Sequence, residues 1–174
     1  MFKTMVLCGF MGTGKSTLGP LIAKQLNFSF VDLDAWIEKE HRCTIADIFE
    51  RSGEKYFRKC ETEALQKVLL SQKQVISVGG GAVISDFNRS LIERKARLVC
   101  LKASTEELLK RLKKDTGRPL LQKADFEKTV EQLLKERLPI YNQISWQVET
   151  DNKSLSECVK EICIEWENPQ LLSN

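Results

Sequence analysis

The run Gly9-Phe10-Met11-Gly12-Thr13-Gly14-Lys15-Ser16-Thr17 constrains this chain more than any other stretch, because its spacing G-x-x-x-x-G-K-[ST] works as a phosphate-binding loop only between a strand and a helix. Both neighbours are present. Met5-Val6-Leu7-Cys8 ahead of it is an apolar, strand-like run, and Leu18 to Leu26 behind it carries apolar residues at 18, 21, 22 and 26, a helical spacing. The glycines let the backbone curl so that successive N–H groups and the helix N-terminus face one anion. Lys15 can then reach the β- and γ-phosphates of a nucleoside triphosphate, and the Ser16 hydroxyl can ligate Mg²⁺. The flanking strand and helix weigh against a glycine-rich turn that merely caps a helix.

At 174 residues the chain suits one domain, 1–174, able to bury about 70% of its unfolded surface without staples. A balance of 27 basic against 24 acidic residues, net +3, is too small for a nucleic-acid-binding surface and points instead to compact acidic ligands. Six cysteines, Cys8, Cys43, Cys60, Cys100, Cys158 and Cys163, show neither a C-x-x-C pair nor a zinc spacing. They read as reduced, mostly buried thiols, and with no signal peptide or membrane-spanning run the expected location is the cytoplasm. A monomer is expected.

Apolar runs at 5–8, 29–31, 74–78, 97–101 and 146–148 alternate with helical patterns. That alternation predicts an α/β domain on a parallel sheet, whose ligands gather at the strand C-terminal ends. Gly9, Asp32, Asp34, Gly79, Gly80 and Gly81 all follow such runs and should converge. Thr44-x-x-Asp47 and Ser104-x-x-Glu107 resemble capping boxes, and 53–70 reads as one long helix. The polar stretch 113–125, interrupted by Gly117 and Pro119, reads as a mobile lid, and the tail 168–174 as frayed.

Several further residues carry chemistry only in combination. Asp32-Leu33-Asp34 after the second strand would point both carboxylates to one side if extended, which suits a metal and a hydroxyl; the alternative reading of Asp34 is a helix N-cap, against which the phosphate loop weighs. Arg58 and Glu61, one helical turn apart, could be a solvated ion pair. Gly79-Gly80-Gly81 could be a tight turn or a place where a substrate approaches the backbone. His41, among charged residues at an apparent helix end, reads as a surface residue. Trp36, Trp146 and Trp166 read as core or core-edge residues.

Taken in order, Gly9 to Thr17, Asp32-x-Asp34, Phe57-Arg58-x-x-Glu61, Gly79-Gly80-Gly81, Arg118-Pro119-Leu120-Leu121 and Arg137-x-Pro139-x-Tyr141 resemble the shikimate kinase family across nearly the whole chain. The resemblance implies a three-layer P-loop kinase fold with a five-stranded parallel sheet, helices on both faces and a lid. It implies Mg²⁺-dependent transfer of the ATP γ-phosphoryl group to the 3-hydroxyl of shikimate, a step toward chorismate and the aromatic amino acids. By the same similarity Asp34 would bind the ring hydroxyls and orient or deprotonate the attacking one, Arg58 and Arg137 would clamp the carboxylate, and the backbone of the Gly79–Gly81 turn, Gly80 above all, would contact a hydroxyl. Arginine suits a planar carboxylate because its guanidinium forms two parallel charge-assisted bonds. The nucleotide would lie on Gly12, Thr13, Gly14, Lys15, Ser16 and Thr17, with Arg118 also on the phosphates, Ser16 and Asp32 on Mg²⁺, and Arg111 stacked on adenine. The family's basic residue and proline after the last strand have only a partial counterpart in Thr150-Asp151-Asn152-Lys153-Ser154, where Lys153 is the remaining candidate.

A nucleotide-dependent switch or motor fits less well: Asn152-Lys153-Ser154-Leu155 lacks the acid of the guanine motif Asn-Lys-x-Asp, and the third strand ends in glycines rather than carboxylates. The nearer rival is another small P-loop kinase, acting on gluconate or a nucleoside monophosphate.

Overall fold

The computed structural model describes residues 2–113 and 126–168. Arg118, with 114–125 of the lid reading and 169–174 of the tail reading, lies outside the described residues. The elements in order are β1 (Thr4–Gly9), α1 (Lys15–Leu26), β2 (Ser29–Asp32), α2 (Leu33–His41), α3 (Ile45–Val68), β3 (Gln74–Ser77), a short 3-10 turn (Ala82–Ile84), α4 (Asp86–Lys95), β4 (Arg97–Lys102), α5 (Thr105–Lys113), α6 (Phe126–Tyr141), β5 (Trp146–Glu149) and α7 (Leu155–Glu167). All five strands fall on the apolar runs read from sequence, to within a residue at most ends.

The sheet order is β2-β3-β1-β4-β5 and every neighbouring pair is parallel. β1 sits in the centre, with Val6 opposite Ile76 on one side and Leu98 on the other. Alternation along β1 divides the core. Met5 and Leu7 face Leu18, Ile22, Trp146, Ile162 and Trp166, so α1 and α7 cover that face. Val6 and Cys8 face Ile37, Leu65, Ile92, Leu108 and Tyr141, so α2 to α6 cover the other. The result is the expected three-layer arrangement. β1, β3 and β4, buried on both faces, read as continuous apolar runs, which is why they were visible in the sequence. Among the described residues no helix is long and apolar enough to cross a membrane.

Gly9 closes β1 where the chain passes closest to β4. Its φ is +135°, and a Cβ there would stand 2.3 Å from the Leu101 carbonyl oxygen, so only glycine lets the strand run on into the loop at this point.

Several local expectations are corrected. α1 starts at Lys15 rather than Leu18, directly on the loop. The helix expected over 53–70 begins at Ile45, where the Thr44–Asp47 capping box forms in full; it breaks at Gly53 (φ 77°, ψ 173°) and ends at Val68. The Ser104–Glu107 box is only half made. Ser104 Oγ accepts from the Glu107 N–H at 3.3 Å, but the Ser104 N–H donates to Asp151 Oδ2 at 2.8 Å and the Glu107 carboxylate is drawn to Arg111. A box not noticed in the sequence, Ser154-x-x-Glu157, starts α7.

Trp146 and Trp166 are buried, and Trp36 packs at the core edge. Arg97 lies between the two buried indoles, its guanidinium carbon 4.2 Å from the Trp146 ring centre and 5.3 Å from that of Trp166. It also donates to the carbonyls of Glu165 and Trp166, which fastens the C-terminal end of α7 to the start of β4.

Leu7→Ala, at a site with no exposure, should cost about 2–5 kcal/mol, read as a lower denaturant midpoint at unchanged m-value. Leu70→Ala, at a residue 74% exposed, should change stability by less than about 0.5 kcal/mol. Equal losses in the two variants would contradict the division of core from surface described above.

Candidate active site

The strand C-terminal ends open into one cleft of about 570 Å³. The loop residues Gly12 to Thr17 form one wall, with Asp32 and Asp34 beside them; Arg58, Gly79, Gly80, Gly81 and Arg137 form the other end, and Arg111 and Lys153 line the far corner. Every site residue read from sequence that lies within the described residues is therefore in the same cleft.

The loop is stitched from within. Lys15 Nζ donates to the carbonyls of Gly9 and Phe10 at 2.8 and 2.9 Å, and the buried Thr13 hydroxyl donates to Phe10 at 2.8 Å. α1 begins with no side chain capping it: Gly14, left-handed at φ 96°, occupies the cap position. The first-turn N–H groups of the helix are thus presented as an anion seat rather than being consumed by a neighbouring hydroxyl.

Asp32 joins two helix starts. Its Oδ2 accepts from the Ser16 hydroxyl at 3.0 Å, while Oδ1 accepts from the N–H groups of Asp34 and Ala35 at 3.1 and 3.3 Å. The N-cap of α2 is therefore Asp32, not Asp34, and the helix starts at Leu33, so the extended geometry expected for Asp32-Leu33-Asp34 is not what brings the two acids together. Asp34 reaches the cleft from the first helical turn instead.

The three glycines make a floor with no side chains, and a different group rests on each. A Cβ on Gly79 would stand 3.0 Å from Glu61 Oε1 and 3.1 Å from Asp34 Oδ1; on Gly80, 3.1 Å from Arg137 Nη1 and 3.2 Å from the Tyr141 hydroxyl; on Gly81, 2.5 Å from both terminal nitrogens of Arg58. Arg58 comes from α3, where it is held by Glu61 Oε2 at 2.9 Å and Glu54 Oε1 at 3.0 Å. Arg137 comes from α6, with its guanidinium 5.9 Å from the Phe10 ring centre. The Tyr141 hydroxyl donates to the Gly80 carbonyl at 2.7 Å, and burial pushes its phenol well up, so it keeps that proton.

At the opposite corner Arg111 donates to Glu107 Oε1 (2.8 Å), the Gly12 carbonyl (3.2 Å), Thr150 Oγ1 (3.0 Å) and the Thr150 carbonyl (3.1 Å). These bonds occupy the edges of the guanidinium, and stacking is the contact its flat face can still offer. Lys153 lines the same corner, with its ammonium 2.5 Å from Glu161 Oε2. His41 stands away from the cleft, edge-on to Tyr56.

Sequence reasoning left Glu61 and Tyr141 without a role. Glu61 has no exposed surface, and it is no solvated ion-pair partner. Burial pushes its carboxyl up to about 7; Arg58 offsets part of that, and Asp34 adds to it. A signal was available: Phe57, Glu61, Ala64, Leu65 and Val68 follow a helical core stripe, so the carboxyl falls where an apolar residue is expected.

A family model described as Shikimate kinase matches residues 11–167. The shikimate kinase of Thermodesulfovibrio yellowstonii is 39% identical over 165 residues, 95% of each chain. Among solved structures, shikimate kinase from Acinetobacter baumannii in complex with shikimate superposes with a TM-score of 0.89 at 32% identity, covering 98% of this chain and 95% of that one. Shikimate kinase from Aquifex aeolicus superposes with a TM-score of 0.81 at 33% identity, covering 97% and 98%.

The raised proton affinity of Glu61 has a stability consequence whose sign is fixed. Below its ordinary value of 4.5 the carboxyl is neutral in both folded and unfolded chains; between 4.5 and about 7 only the unfolded chain ionises freely, and the fold loses stability as pH rises. The loss is on the order of 3 kcal/mol and is complete above about pH 7. Other carboxylates, such as Asp47 and Glu157, are shifted down and act oppositely, so the difference between variant and parent isolates Glu61. The melting temperature of Glu61→Gln relative to the parent should rise from pH 5 to pH 7.5. A difference that stays constant over that range would contradict the burial argument.

Proposed function

The chain belongs to the shikimate kinase family, and on that premise we propose how its cleft moves the γ-phosphoryl group of ATP to the 3-hydroxyl of shikimate, giving shikimate 3-phosphate and ADP. What carries the reading is one juxtaposition: a phosphate-binding loop and a pair of arginines share a single cleft with Asp34 at its floor. A dianionic phosphoryl donor and a small carboxylated polyol need those two kinds of seat at once.

At the acceptor end Arg58 and Arg137 hold the carboxylate, Arg58 braced by Glu61 and Glu54 so that its fork is aimed in advance. The sugar-like ring lies over Gly79, Gly80 and Gly81, where the missing side chains let its hydroxyls reach backbone. Asp34, on the first turn of α2, orients the attacking hydroxyl and takes its proton as the bond to phosphorus forms. At the donor end the triphosphate lies along Gly12 to Thr17, with Lys15 leaving the loop carbonyls for the β- and γ-phosphates. Arg111 stacks on adenine and Lys153 flanks it. Arg118 is assigned to the phosphates by resemblance alone, being outside the described residues.

Mg²⁺ fits the oxygen pair Ser16 Oγ and Asp32 Oδ2, because this ion keeps most of its shell as water and phosphate oxygen and asks little of the protein. When bound it neutralises charge on the phosphates. Among the described residues no cluster of three acidic, histidine or thiol ligands offers a complete cage, which agrees with an ion that arrives with the nucleotide. The six free cysteines fit a reducing compartment, the cytoplasm.

The direct test is purified protein with ATP, Mg²⁺ and shikimate, with phosphorus NMR to identify the product, and with gluconate and nucleoside monophosphates in parallel. Phosphorylation of either alternative in preference to shikimate would overturn the substrate assignment. Lys15→Ala should lower turnover on the order of a hundredfold, since it removes a charge aimed at the transferring group; near-normal turnover in a coupled assay would remove Lys15 from the mechanism. Gly81→Ala places a methyl group against the Arg58 fork and should raise KM for shikimate on the order of tenfold, with far less change in KM for ATP. Equal effects on both ligands would show that the floor serves the whole cleft rather than the acid-binding end.

A further inference from the structure

Glu61 is a buried carboxyl that the phosphoryl-transfer scheme leaves unused. One of its oxygens, Oε2, accepts from Arg58 Nη1 at 2.9 Å. The other, Oε1, is fully buried and accepts no hydrogen bond. It lies over Gly79, and Asp34 Oδ1 approaches the same point from α2. The charged groups facing Glu61 are Arg58 on its own helix, Arg137 from α6 and Asp34 from α2; Glu54 reaches Arg58 from the solvent side. With the cleft free of substrate, the two guanidinium groups are what make an ionised Glu61 tolerable in so dry a place.

A substrate carboxylate changes that balance. It takes its hydrogen bonds from the same guanidinium groups and brings another negative charge to within a few ångströms. Three carboxylates would then face two guanidinium groups, with little water to screen them. The group with the least solvent and an oxygen already lacking a donor is the one that gives way. We propose that Glu61 takes up one proton from solvent when the acid substrate docks on Arg58 and Arg137, so that this buried carboxyl sets how tightly the substrate's carboxylate is held. The proton goes to Oε1, leaving Oε2 to accept from Arg58 as before. The arginine clamp thus keeps its geometry while one negative charge is removed from behind it. Glu61 is in this sense a positioning residue that acts through Arg58, and the inference rests on the reading of this cleft as the shikimate site.

The direction of the pH effect follows. Where Glu61 is already neutral before binding, near pH 6, docking needs no proton. Above its transition near 7 the proton must be captured, and affinity should weaken with rising pH by up to about tenfold per pH unit until the bound form also ionises.

Calorimetric titration of the intact protein with shikimate, in two buffers of different ionisation enthalpy, measures the proton count directly. At pH 8 uptake should approach one proton per shikimate, and at pH 6 it should be near zero. Shikimate carboxamide, which lacks the charge, should bind more weakly and take up none at either pH. In Glu61→Gln the amide oxygen can still accept from Arg58, so shikimate should bind with a Kd that is flat between pH 6 and 8.5 and without proton uptake. The inference is overturned if the parent protein takes up no proton at pH 8, if the carboxamide takes up as many as the acid, or if the variant takes up as many as the parent. The parent measurements decide the matter alone should the variant fold poorly. No binding of shikimate at any pH would instead sink the substrate reading itself, a different result from binding without proton uptake.

Discussion

The approach of β1 to β4 at Gly9 is the constraint from which the chemistry of this molecule is laid out. The strand pairing holds Gly9 against the Leu101 carbonyl with no room for a side chain, and the backbone leaves the sheet there in a conformation that L residues rarely adopt. Everything downstream inherits that exit. The loop turns back so that its own carbonyls are gathered by the Lys15 ammonium, and α1 starts at once, with its first amides uncapped. Because β1 is central and buried on both faces, the loop stands on a well-buried strand of the core.

The second half of the cleft uses the opposite device, side chains converging on a floor that has none. Asp34, Glu61, Arg58, Arg137 and Tyr141 come from three different helices, yet each lies against Gly79, Gly80 or Gly81. Four of these five carry a charge-bearing group, and the glycines let them come together without displacing one another. The arrangement works against stability. Burying Glu61 behind Arg58 costs more than their attraction returns, as its raised proton affinity records. Charge concentrated in this way, under a cleft open to ligands, is a mark of a site shaped for binding rather than for the fold.

Much of this was legible in the sequence because it is local. Buried parallel strands leave continuous apolar runs, and the phosphate loop is a contiguous pattern whose meaning depends only on the strand before and the helix after. The rule that ligands gather at strand C-terminal ends placed Asp32, Asp34 and the glycine triplet together before any coordinates. What the sequence hid was burial and partnership. Glu61 three residues after Arg58 looks like any surface ion pair until the packing of Phe57, Ala64 and Leu65 shows that the same face points inward. Which of two neighbouring aspartates caps α2 turned on where the helix starts, and Ser16 reaching Asp32 from sixteen residues away takes part in that choice. The Ser104–Glu107 box failed because Asp151, from 47 residues away, takes the Ser104 N–H, while Arg111, one turn along α5, takes the Glu107 carboxylate.

The three indoles are placed so that their light emission divides by location. Trp146 and Trp166 enclose Arg97 at the starts of β4 and β5, the end of the sheet away from the cleft, where they pack with α7. Trp36 shares the short helix α2 with Asp34, beside the Lys67 ammonium. Emission from Trp146 and Trp166 therefore reports on how α7 packs at the foot of the sheet, and emission from Trp36 reports on α2 at the core edge, so the natural indoles sample two parts of the fold without a label.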